Sequence, residues 1–220
     1  MASNRRDFLK TLSLATGSVV LMPVVSACGG AQTPAGAVEP DPAEPPRARP
    51  EGWEPISYNR DRGNAGFIPD TYRADINGPD GEHKHLGKHL PYVPDLSGLT
   101  IPTGFLAVMW GDPAKGHAKH PNAVPNDANH HEGHWYNWIR VRKATTAEAQ
   151  ELESKYLSWP GTDETSGSYA VFGGGDITAD DGKNTIYLAA LPPDVKAGDL
   201  VRIWAHCLTH GEYVDYLTVA

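Results

Sequence analysis

The chain is poor in cysteine, with only Cys28 and Cys207, and poor in methionine, with three residues; its 19 Lys and Arg are outnumbered by 27 Asp and Glu. Two cysteines exclude a disulfide framework and any site built from four thiolates. No apolar run approaches the roughly 20 residues that a bilayer-spanning helix needs. The best candidate, Thr11 to Val25, is short and interrupted by Ser, Thr and Gly. A formal charge of −8 argues against nucleic acid, whose binding rests on clustered Lys and Arg. Glycine patterns for dinucleotides or phosphates are absent, and no internal repeat is visible.

The first residues have the form of an address. Arg5 and Arg6 lead Asp7-Phe8-Leu9-Lys10 and then the modest apolar run, which is the pattern of a twin-arginine export signal. Val25-Ser26-Ala27-Cys28 closes residues 1–27 in the manner of a bacterial lipobox, so Cys28 is expected to become the lipidated first residue and a membrane anchor. Removal of residues 1–27 takes away Arg5, Arg6, Lys10 and Asp7, and the charge becomes 16 − 26 = −10. Residues 28–52 are Ala, Pro, Glu and Gly with little to bury, the composition of a disordered tether. Residues 53–220 then form one domain of ordinary size. With Cys28 committed to lipid, Cys207 is a lone thiol in a compartment that favours disulfides.

Within the domain, short segments rich in β-branched and aromatic residues are expected as strands: Gly104 to Trp110, His134 to Val141, Ser168 to Phe172, Thr185 to Ala190, Leu200 to His206 and Tyr213 to Val219. Gly and Pro punctuate the gaps, and the pattern predicts an all-β, immunoglobulin-like β-sandwich. Thr145 to Tyr156, with Thr146 ahead of an Ala, Glu, Gln and Leu run, predicts one short helix.

All ten histidines lie between His83 and His210, in three clusters. Period two along Val201, Ile203, Ala205 and Cys207 turns the thiol to the apolar face of its strand. His210, three residues on and next to Gly211, is placed to swing back so that sulfur and imidazole meet at one ion. With two further histidine clusters on separate segments, the pair predicts a mononuclear site of imidazole and thiolate ligands. His134, heading a strand, is read as a ligand; His83, His85, His117, His130, His131 and His206 are read as loop or supporting histidines. His131-Glu132-Gly133-His134 is one residue short of the helical zinc-protease spacing.

Taken together, Lys88-His89-Leu90-Pro91, His120-Pro121-Asn122, His134 with Trp138-Ile139, and Cys207-Leu208-Thr209-His210-Gly211 resemble the superoxide reductases, the desulfoferrodoxin and neelaredoxin family, in order and strand context. The resemblance spans roughly Gly87 to Val219. It implies a one-iron form, since the cysteines of a second, rubredoxin-like centre are missing, with mononuclear iron (Fe2+/Fe3+) held by His89, His120, His134, His210 and the Cys207 thiolate. The implied activity is the one-electron reduction of superoxide to hydrogen peroxide. It further implies that Lys88 attracts the anion, and that an electron-donor protein supplies the electron. Two positions depart from the family. Gly87 stands where the family often carries a glutamate ligand, and the thirteen residues between His120 and His134 exceed the family's short loop, leaving His130 or His131 as alternatives to His120. A homo-oligomer is compatible with the sequence.

The rival reading is an exported, cupredoxin-like electron carrier or metal-binding lipoprotein without superoxide reductase activity. Blue-copper sites usually add an axial methionine after the last histidine, whereas Met1, Met22 and Met109 all precede Cys207.

Overall fold

The computed structural model describes residues 41–156, 169–171 and 179–220. Arg5, Arg6 and Cys28 therefore lie outside the described residues, as do Ser168 and Phe172 at the ends of one expected strand.

Among the described residues, eight strands form two antiparallel sheets: β1 (Pro91–Tyr92), β2 (Phe105–Trp110), β3 (Tyr136–Lys143), β4 (Glu151–Lys155), β5 (Tyr169–Val171), β6 (Thr185–Ala190), β7 (Leu200–Cys207) and β8 (Gly211–Thr218). Their orders are β1-β2-β6-β5 and β4-β3-β7-β8. The apolar alternation of β7 explains the packing, because Val201, Ile203, Ala205 and Cys207 enter one core. Tyr136, Ile139 and Val141 of β3 join them against Leu106, Val108 and Trp110 of β2 and Tyr187 and Ala189 of β6. The opposite face of β2, with Ala107 and Met109, is also buried, beneath Leu96, Leu99 and Ile101. These two sheets enclosing one apolar layer make a β-sandwich.

The segment expected as a helix is not one. Residues 145–150 form turns, and β4 follows, pairing with β3 from Arg142↔Glu151 to Trp138↔Lys155. Its helix-forming composition is overridden by tertiary partners. Arg142 Nη2 donates to the carbonyls of Thr146, Ala147 and Ala149, Arg140 pairs with Glu153 at 2.7 Å, and Ala190 N–H donates to Ser154 Oγ.

The helices are instead N-terminal: α1 (Pro55–Arg62) and α2 (Asp70–Ile76), followed by a wide turn at Gly81–Leu86 and a 3-10 turn at Gly87–His89. Ile68, Tyr72, Ile76 and Leu86 make a second apolar cluster with Tyr213 of β8, so this helical layer is fastened to the sandwich. Before it, residues that the composition assigns to the tether have defined contacts. Arg202, fully buried, donates to the carbonyls of Pro45 (2.6 Å) and Pro46 (3.3 Å), and Tyr216 Oη–H reaches those of Pro46 and Ala48. Among the described residues, no helix is long and apolar enough to cross a membrane.

Candidate metal centre

Four separate pieces of chain converge at one end of the sandwich. The 3-10 turn after α2 delivers His89, and the segment following β2 delivers His120, whose N–H bonds the Trp110 carbonyl. His134 enters β3 through a bridge to Ala123, and the β7–β8 hairpin carries both Cys207 and His210. That hairpin closes at Gly211, whose φ of +83° and close approach to the Phe67 carbonyl leave no room for a side chain.

Ligand atoms of His89, His134, Cys207 and His210 all lie within 4.8 Å of one another, a largely buried three-histidine, one-cysteine group at metal-binding distance. His89 Nε2 and His210 Nδ1 are 3.1 Å apart. Two imidazole nitrogens about 2.1 Å from one ion at right angles would be separated by about 3.0 Å. His120 lies beside the group, with Nε2 at 3.5 Å from Cys207 Sγ and its ring 4.2 Å from that of His134. Cys207 Sγ and His210 Nδ1 are 3.8 Å apart.

Several observations fit these side chains to a cation. His89 Nδ1 lies 2.7 Å from the His85 carbonyl; donation there fixes the tautomer and leaves Nε2 bare toward the cluster. His134 Nε2 is buried with no hydrogen-bond partner among the described residues. Burial holds all four imidazoles neutral, with their lone pairs available. His89 and His120 are pushed far below the usual histidine range by desolvation and by neighbouring histidines; desolvation and then Lys88 lower His134 to about 3, and desolvation and then His134 lower His210 to about 2. Burial pushes the Cys207 thiol up to about 12, opposed by backbone N–H groups of His210 and Thr209 and by Lys88. A coordinated metal ion would remove that thiol proton.

The surroundings sort the remaining expectations. Lys88 is half-buried; desolvation lowers its affinity for a proton and the nearby Cys207 sulfur opposes this, with Nζ 5.3 Å from the Tyr72 ring centre. The other lysines near the clusters point elsewhere: Lys84 to Asp80, Lys119 to Asn184, and Lys115 to solvent. His130 and His131 are exposed, and His131 pairs with Asp127, so it is His120 that reaches the thiol. His206 lies off the cluster, bonded to Asn137 and stacked on Trp138.

Two tyrosines that the sequence does not assign to the site pack directly on the histidines. The Tyr213 ring stacks on His89 at 4.2 Å and 9°, and Tyr72 lies 4.0 Å from His210 with its hydroxyl on His85 Nδ1. Tyr213 continues the aromatic pattern of β8, which gave a signal for burial only. Tyr72 precedes the stretch carrying the family resemblance and gave no signal.

Compared with known proteins, the chain matches no family model, no curated protein and no solved structure.

Proposed function

We propose that the protein binds one iron ion through His89, His120, His134, His210 and Cys207 and reduces superoxide to hydrogen peroxide. The observation that carries this reading is the buried group of His89, His134, His210 and Cys207, with His120 Nε2 3.5 Å from the Cys207 sulfur as the fifth donor beside it. Iron held there would supply one electron to the substrate; two protons complete hydrogen peroxide.

The chain's own contribution is positioning and charge. The His85 carbonyl and the Tyr213 ring hold His89 in one orientation. Backbone N–H groups of Thr209 and His210 stabilise negative charge on Cys207 sulfur. Lys88 places a cation beside the cluster in a chain of net charge −8, a local reversal of sign that favours a small anion.

The cupredoxin-like alternative is disfavoured by Met109, which lies in the apolar cluster beneath β2 with its sulfur accepting from Tyr92 Oη–H, away from Cys207. In the proposed reading the sandwich is of immunoglobulin-like type. The twin-arginine pattern and Cys28 support an exported, lipid-anchored location, with superoxide and an electron-donor protein as partners.

The test is metal analysis with an optical spectrum of the purified protein before and after oxidation. One iron per chain, with a visible thiolate-to-ferric band that disappears in Cys207→Ser, is the expected result, followed by superoxide consumption in kinetic assays. Copper with an intense blue band, or zinc with none, would refute it.

A further inference from the structure

A second pair of histidines meets outside the buried cluster. The His83 and His117 rings lie with centroids 5.8 Å apart and planes inclined by 41°. With metal–nitrogen bonds of about 2.1 Å, an imidazole centre sits roughly 3.2 Å from its ion, so two rings sharing an ion have centres about 5 to 6.4 Å apart. The observed spacing falls inside that range.

The pair is held by backbone. Ala118 N–H donates to the His83 carbonyl at 3.2 Å, joining the turn Gly81–Leu86 to the segment carrying His117. His117 packs over Gly87, where an added Cβ would lie 2.6 Å from its Cγ, so the missing side chain provides its seat. His117 is half-buried, and its Nδ1 is buried without a hydrogen-bond partner among the described residues. A buried ring nitrogen so placed has lost water and gained nothing in return. His83 is exposed, which leaves the pair open to solvent. Burial, then the neighbouring His83 and then Lys115 hold His117 toward its neutral, ligating form, while Asp112 and Glu54 oppose this with negative charge nearby.

We propose that His83 and His117 form a second, surface site for a borderline divalent transition cation such as Zn2+ or Cu2+, with water completing its coordination. Imidazole suits these ions, and two ligands make a weaker, exchangeable site than the buried cluster provides. The inference does not rest on superoxide chemistry.

Isothermal titration of Zn2+ into the full chain, with its buried centre already occupied, tests it. The expected result is one further binding event that weakens tenfold or more in both His83→Ala and His117→Ala and is unchanged in His131→Ala, another exposed histidine. Retention of the native metal, followed by metal analysis, confirms that the event is not exchange at Cys207. His83→Ala alters an exposed residue, so loss there cannot be ascribed to unfolding. No further event, or one that survives in His83→Ala, would overturn the proposal.

Discussion

At the level of single side chains, the thiol and the imidazoles were readable for different reasons. Cys207 was legible because strand periodicity turns it inward, and His210 because three residues and a glycine bring it back beside the sulfur. His120 was less legible, since neither its turn nor its loop has a period; only the folded chain shows that it, rather than His130 or His131, lies at 3.5 Å from the sulfur. His120→Ala should therefore lower bound metal per chain or weaken its retention at least tenfold, whereas His130→Ala and His131→Ala should leave it unchanged, by metal analysis after dialysis. Lys88→Ala should slow the bimolecular reaction with superoxide and flatten its ionic-strength dependence, measured by pulse radiolysis or stopped flow. An unaltered rate and salt profile would remove Lys88 from the proposal. Gly87 is occupied from outside by His117 and the Glu82 carbonyl. Gly87→Ala should cost about 1–3 kcal/mol, read by denaturant unfolding.

At the level of elements, the strands rich in β-branched and aromatic residues match the expectation nearly to the residue, β6 and β7 above all. The errors share a cause. Residues 145–156 have helix-forming composition, but Arg142, only a few residues back, gathers the carbonyls of the turn, and Arg140 and Ala190, farther off in sequence, hold the edge strand. Asp41 to Pro50 have a tether's composition, yet offer carbonyls to Arg202 and Tyr216. Neither set of partners leaves a local pattern. Deleting residues 41–50 should strip Arg202 of acceptors while leaving Glu151 and lower stability by about 2–4 kcal/mol, seen as a fall in Tm. An unchanged Tm would show that these contacts are energetically neutral.

At the level of the whole molecule, acid sensitivity follows from the buried histidines. His134 and His210 are depressed to about 3 and about 2, against about 6.5 in the unfolded chain. Between those values the unfolded chain binds the extra protons, so stability of the metal-free protein is complete above about pH 6.5 and declines below it. Each such group contributes roughly 1.4 kcal/mol per pH unit. Denaturant midpoints at pH 7.5 and 5 should show the decline, and a flat profile would mean that these rings take up protons while folded.

The separation of the donor atoms along the chain has a topological consequence. His89 and His210 stand 121 positions apart in sequence and 3.1 Å apart in space. An ion gripping both would act as a reversible staple across nearly the entire sandwich. A covalent cross-link enclosing about 100 residues restricts the unfolded chain by roughly 5 kcal/mol, and a tightly held ion closes a loop of that size. Cys207 is a free, buried thiol, so such an ion would supply across this span the kind of constraint on unfolding that a disulfide supplies elsewhere.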